Sequence, residues 1–128
     1  MRLLIVRHAQ AAPGDPDELR SLTPAGREQA QRLGESLRAE GIAADAVLSS
    51  PLLRARETAE ALGLGEPQVD ERLAPGASPT DIRDAARGRG DTVVIVGHQP
   101  DCSRAVAELT GREEPRLPPC AHVVVELE

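Results

Sequence analysis

The chain has 128 residues, 40% of them hydrophobic, and its 15 basic and 21 acidic side chains give a formal net charge of −6. All the basic residues are arginine, and Phe, Tyr and Trp are absent. A negative chain without aromatic stacking platforms is a poor nucleic-acid binder, so this class of partner is excluded. The length and apolar content predict one domain, residues 1–128, with one core.

No stretch of the sequence approaches the roughly 20 apolar residues that span a bilayer. The apolar run at residues 3–6 ends at Arg7, too soon for a signal peptide, so we expect an unexported, cytoplasmic protein with no membrane contact. Cys102 and Cys120 lack metal-site spacing and fit reduced, packed thiols better than a disulfide framework.

The first half of the chain alternates predicted strands with predicted helices. A continuous apolar run predicts a buried strand, and a loop rich in proline and glycine follows it. Pro24 and Pro51 each suit the first position of a helix, and Gly41 and Gly63 suit the ends. In chain order the elements are a strand at 2–6, a loop at 11–17, a helix at 24–41, a strand at 46–48 and a helix at 51–63.

The second half repeats this order. A weak strand pattern precedes a helix that ends in a glycine-rich segment, and a second doubly buried strand precedes another helix. The elements are a strand near 68–69, a helix from 78 to 87–90, a strand at 92–96, a helix from about 100 to 110 and a strand at 122–127.

Alternating strands and helices without hairpin signals imply right-handed crossovers. The predicted fold is therefore a three-layer α/β/α sandwich with a mainly parallel sheet. In such sheets ligands bind beyond the carboxyl ends of the strands, so the residues that follow the strands are the first candidates for a site.

Three predicted strands end in polar side chains. Arg7 and His8 follow the first strand, Ser49-Ser50 and then Arg54 follow the second, and His98 follows the fourth. If the strands are parallel, two arginines and two histidines converge at one edge. Taken singly, each has an ordinary explanation: loop arginines are commonly solvated, and His98 could simply cap a helix. His122, within the last apolar run, has no chemical partner suggested by the sequence.

This combination suits phosphoryl transfer through an enzyme nucleophile. A neutral histidine supplies a nitrogen lone pair, while arginines and a second histidine donate hydrogen bonds to phosphoryl oxygens. The scheme requires neither a metal nor a cofactor.

The same residues resemble the motifs of the histidine phosphatase superfamily. Arg7-His8-Ala9 is similar to its R-H-G signature, with Ala9 in place of the commonest glycine. Residues 20–26 resemble the R-x-L-T-x-x-G segment, residues 49–55 the S-S-P-L-x-R-A segment, and residues 96–98 the second-histidine segment. The resemblance implies a mainly parallel sheet with an antiparallel edge strand.

By this resemblance His8 is the phosphorylated nucleophile, and Arg7, Arg54 and His98 bind the phosphoryl group with it. Arg20 approaches the group from the loop. The short connection between Arg54 and His98 leaves no large cap over the site, which resembles the small SixA-type branch. The implied substrate is phosphohistidine on a signalling protein.

The general acid is the point at which the sequence departs from the larger branches. Glu71 is the nearest match to the glutamate of the sugar-phosphate enzymes, and Gln99 stands where the acid phosphatases have aspartate. Asp101, in the first turn of a predicted helix, is expected to cap that helix. The identity of the acid stays open at this point.

Two alternatives also remain open on the sequence. One is a general phosphomonoesterase acting on small phosphorylated metabolites, and the other is a phosphate-binding module without turnover. The partner is a phosphorylated protein or a small phosphorylated compound, and the sequence does not indicate an oligomeric state.

Overall fold

The structure, a computed structural model, describes residues 1–127 and contains a five-stranded sheet. Its strands are β1 (Arg2–Arg7), β2 (Ala46–Ser49), β3 (Pro67–Val69), β4 (Thr92–Gly97) and β5 (His122–Glu126). They lie in the order β3-β2-β4-β1-β5. The β1–β4, β2–β4 and β2–β3 pairs are parallel, and β5 pairs antiparallel with β1 at one edge. The predicted sheet, with its antiparallel edge strand, is confirmed.

Helices cover both faces of this sheet. They are α1 (Pro24–Ala39), α2 (Leu53–Leu62), α3 (Pro79–Ala86) and α4 (Asp101–Thr110), and two short 3-10 helices lie at Asp17–Leu19 and Glu71–Leu73. Leu37 of α1 and Leu62 of α2 pack with Val6 and Val94 on one face. Residues of α3 and α4 pack with alternate residues of the same strands on the other face. This alternation of fully buried strand residues produces the three-layer sandwich that the sequence predicts.

The predicted start of α2 differs from the structure by two residues. The helix begins at Leu53 rather than Pro51 because Leu52 is extended, with φ −70° and ψ 140°. The Leu52 N–H donates to Ser50 Oγ at 3.2 Å, which stabilises a tight turn before the helix.

None of the helices within residues 1–127 is both long and apolar enough to cross a bilayer.

Candidate active site

Strand register brings the two histidines together at the carboxyl edge of the sheet. Arg7 of β1 lies beside Gly97 of β4, and the His8 N–H donates to the Gly97 carbonyl at 3.0 Å. The residue that follows each of these strands is a histidine, and the ring centroids of His8 and His98 are 5.3 Å apart. The predicted convergence of His8 and His98 is thus a direct consequence of parallel pairing.

The His8 ring is oriented by its own backbone. Its Nδ1 lies 2.8 Å from the Ala9 carbonyl oxygen, which can only accept, so Nδ1 carries the proton and Nε2 keeps its lone pair. The Cys120 N–H donates to the His8 carbonyl at 3.1 Å and fixes the main chain. Burial lowers the pKa of His8, and the guanidinium groups of Arg54 and Arg7 lower it further, although the Ala9 hydrogen bond opposes them. His8 is therefore neutral at neutral pH, with a free lone pair on Nε2.

His98 is a buried, neutral imidazole. It is 4% exposed, and its Nε2 lies 2.7 Å from the hydroxyl oxygen of the fully buried Ser50. Burial lowers the pKa of His98 to about 4, and the neighbouring His8 ring and Arg54 guanidinium lower it further. Ser50 Oγ accepts from the Leu52 N–H, and we assign its own proton to the hydrogen bond with His98 Nε2. That arrangement leaves Nδ1 of His98 as a donor.

Both arginines of the site are held by main-chain carbonyls. Arg7 Nη1 donates to the Leu117 carbonyl at 3.0 Å. Arg54 Nη1 donates to the Asp17 carbonyl at 2.9 Å, and Arg54 Nη2 donates to Asp17 Oδ2 at 3.2 Å. These contacts fix the planes of two guanidinium groups whose charges reach His8.

Three buried side-chain nitrogens have no hydrogen-bond partner among residues 1–127. They are Arg7 Nε, Arg54 Nε and His98 Nδ1. Unpartnered buried donors are costly and uncommon, and here all three belong to residues gathered around His8. Such a set of donors is suited to the oxygens of a phosphoryl group.

The loop between β1 and α1 adds residues that the sequence did not single out. Asp17 contacts Arg54 and also accepts from Arg20 Nη1 through Oδ1, at 3.1 Å. Glu57 of α2 anchors the same loop by accepting from the Ser21 hydroxyl and the Leu22 N–H, both at 2.8 Å. Arg20 lies near the site, and its Nε donates to the Ala12 carbonyl at 2.9 Å. The sequence offered no signal for Asp17 beyond its position three residues before Arg20.

None of the candidate acids forms a hydrogen bond with His8 or His98 among residues 1–127. Glu71 has an exposed side chain, and its carboxylate forms no hydrogen bond or ion pair with the part of the chain that is described. Gln99 exchanges hydrogen bonds with Ser103 of α4. The expected capping of α4 by Asp101 is wrong: its buried carboxylate accepts from the N–H groups of Gly76 and Ala77 instead. The acid role of Glu71 stays a prediction.

The remaining chemistry-bearing residues are dispersed. Within residues 1–127 no group of three or more His, Cys, Asp and Glu side chains is placed to hold a metal ion. Cys102 and Cys120 are free thiols, and burial raises their pKa values to about 12 and about 11. At these pKa values the two thiols are protonated and weakly nucleophilic at neutral pH.

Comparison with known proteins identifies a family and a solved structure that are similar to this chain. A model of the histidine phosphatase superfamily (branch 1) matches residues 3–75. The solved structure of the protein histidine phosphatase SixA, complexed with tungstate, superposes with a TM-score of 0.90 at 27% identity, over 100% of this chain and 89% of that one.

Two curated bacterial relatives are similar in sequence. An uncharacterised protein of Picosynechococcus is 37% identical over 112 residues, which cover 79% of this chain and 68% of the relative. An uncharacterised protein of Mycobacterium tuberculosis is 39% identical over 104 residues, which cover 77% of this chain and 65% of the relative. The chain thus spans about two thirds of the length of these curated relatives.

Proposed function

Because the chain belongs to the histidine phosphatase superfamily, we propose that it removes phosphoryl groups through a covalent intermediate on His8. Phosphatase chemistry through a histidine is the property of the family and of its SixA relatives. The assignment of individual roles in this chain rests on the geometry of the site.

The observation that carries the proposal is the set of unpartnered donors around a nucleophilic nitrogen. Arg7, Arg54 and His98 each keep a buried N–H without a partner in the described chain, and His8 keeps a lone pair on Nε2. The three donors stabilise the charge on the phosphoryl oxygens, and His8 attacks phosphorus. Water then attacks the phosphorylated His8, releases phosphate and gives one proton to the solvent.

The substrate we propose is phosphohistidine on a cytoplasmic signalling protein. The segment between Arg54 and His98 is occupied by α2, β3, α3 and β4, all of them parts of the sandwich, so no inserted domain covers His8. An open site admits a protein side chain. An imidazole leaving group also needs little help from a protein acid, because imidazolium has a pKa of about 6.5. The resemblance to SixA points in the same direction.

The first prediction tests the nucleophile. His8→Ala should abolish turnover of an aryl phosphate while phosphate binding partly survives, because Arg7, Arg54 and His98 keep their donors. The matched control is His122→Ala, which removes a half-buried histidine of the edge strand β5 and should leave turnover unchanged.

For both variants, turnover of the aryl phosphate is measured in a stopped assay, and phosphate binding is measured by calorimetry. Full activity in His8→Ala would refute the mechanism. Phosphate binding without turnover in the wild type would favour the binding-module alternative. Rapid hydrolysis of glycerol phosphate that collapses in Glu71→Gln would favour a phosphomonoesterase with Glu71 as acid.

A further inference from the structure

Asp17 places a carboxylate directly beside Arg54, one of the proposed phosphate-binding residues. Its Oδ2 accepts from Arg54 Nη2 and its Oδ1 accepts from Arg20 Nη1. The Arg54 side chain is 8% exposed, whereas the Asp17 side chain is 60% exposed. Asp17 therefore lies between a buried phosphate-binding guanidinium and the solvent from which a substrate enters.

The contacts of Arg54 allow Asp17 and a phosphoryl group to be bound at once. Both terminal nitrogens of Arg54 contact Asp17, but Nε is unpartnered and each terminal nitrogen has two protons. The guanidinium can therefore hold Asp17 on one side and phosphoryl oxygens on the other. Because Arg7, Arg20 and Arg54 outnumber this one carboxylate, the site still attracts an anionic phosphoryl group.

The carboxylate stays charged under working conditions. The hydrogen bond from Arg20 lowers the pKa of Asp17, and the hydrogen bond from Arg54 lowers it further. The charge of Asp17 also acts on His98, so the carboxylate lies within electrostatic reach of the second histidine. An aspartate held ionised in this way is a poor proton donor, but it remains an acceptor with unused lone pairs.

We propose that Asp17 selects the leaving group: its carboxylate favours phosphoryl donors that leave from a cationic nitrogen, such as ring-protonated phosphohistidine, and disfavours donors with an anionic leaving group. The inference rests on the proposed function. The proposed function does not explain why one phosphorylated compound would be preferred over another, and we attribute this preference to Asp17.

The carboxylate of Asp17 neither gains nor loses a proton during the phosphoryl transfer. The lone pair of His8 Nε2 forms the bond to phosphorus, and the P–N bond of the substrate breaks. Its electron pair stays on the leaving imidazole, which departs neutral because its other ring nitrogen already carries a proton. Asp17 stabilises the cationic ring before departure by accepting a hydrogen bond from that protonated nitrogen.

The test compares Asp17→Asn with Glu18→Gln. Both residues lie in the same 3-10 helix and both changes remove one negative charge, but Glu18 forms no hydrogen bond or ion pair with residues 1–127. Each variant is assayed for kcat/KM on a phosphohistidine peptide and on carboxyphenyl phosphate. The measured quantity is kcat/KM on the phosphohistidine peptide divided by kcat/KM on carboxyphenyl phosphate. Any change that affects both substrates equally leaves this ratio unchanged.

We expect Asp17→Asn to lower this ratio about two- to fivefold, the size of one charge contact at a solvent-exposed rim. Glu18→Gln and the charge-conserving Asp17→Glu should leave the ratio near the wild-type value. An equal loss on both substrates in Asp17→Asn would overturn the proposal, since Asp17 would then only position Arg54.

An equal change of the kcat/KM ratio in Glu18→Gln would also overturn the proposal for Asp17. The net charge of the loop, rather than the contact of Asp17, would then explain the substrate preference. His8→Ala is run in the same assays to separate the two proposals. If His8→Ala retains turnover, the proposed function fails. If it is inactive and the ratio is unchanged in Asp17→Asn, only the leaving-group proposal fails.

Discussion

At the scale of single residues, one buried hydroxyl determines which ring nitrogen of His98 carries the proton. Ser50 is the hydrogen-bond partner of His98 Nε2, and Nδ1 has none within the described chain. Because the pKa of His98 is about 4, the ring is neutral at neutral pH and can exist as either tautomer. Donation by Ser50 to Nε2 selects the tautomer that has a proton on Nδ1.

Ser50→Ala should therefore weaken phosphate binding and slow turnover by about tenfold or more, as expected when one stabilising donor is lost. Nitrogen-15 NMR of the imidazole ring reports the tautomer directly, and we expect a mixture in the variant. Ser49→Ala is the matched control, since Ser49 is equally buried but donates to the Ser50 carbonyl. If Ser50→Ala binds phosphate like Ser49→Ala, this role of Ser50 is wrong.

The residues whose positions the sequence could predict are those at strand ends. Arg7 ends β1, and His8 and His98 directly follow β1 and β4, so parallel pairing alone brings the histidines together. The contacts of Asp17 and the hydrogen bond between Ser50 and His98 could not be predicted in this way. The path of the loop depends on Glu57 of α2, and strand register positions main chains rather than side-chain hydrogen bonds such as that of Ser50. The capping prediction for Asp101 is wrong because its carboxylate turns toward residues 76–77 rather than toward its own helix end.

At the scale of elements, α1 must approach the segment after His8 very closely. A Cβ atom built on Gly26 would lie 2.0 Å from the Gln10 carbonyl oxygen. The glycine of the R-x-L-T-x-x-G segment is thus explained by packing: only glycine lets the first turn of α1 lie against the main chain two residues beyond His8. The helix itself begins there because the Thr23 hydroxyl accepts from the Gly26 N–H at 2.9 Å.

Gly26→Ala should therefore displace residues 8–10 and reduce kcat/KM as well as stability, the latter by about 1–3 kcal/mol. The comparison is Gly34→Ala, the same change in the same helix, where a Cβ would meet the Leu62 carbonyl oxygen of α2 at 1.8 Å. That variant should lose stability by overpacking but keep its kcat/KM wherever it is folded. Denaturant unfolding and kinetics at low temperature check both variants. Equal kcat/KM in the two would contradict this account of Gly26.

At the scale of the whole molecule, the sheet order determines where the chemistry lies. β1 and β4 are adjacent central strands, β2 borders β4, and all three are parallel, so their following residues meet at one edge. The antiparallel β5 borders β1 and is preceded by the segment that holds Arg7 through Leu117 and His8 through Cys120. The two strands beside β1, which are β4 and β5, are thus both joined to segments that contact the residues of the site.

The central claim is that His8 carries the phosphoryl group. The most direct measurement is to denature the enzyme rapidly during turnover of a radiolabelled substrate and to locate the label by peptide mapping. We predict an acid-labile, base-stable phosphate on His8 in the wild type and in His122→Ala, and no label in His8→Ala. Label on a serine or a cysteine, or stoichiometric label in His8→Ala, would contradict the account.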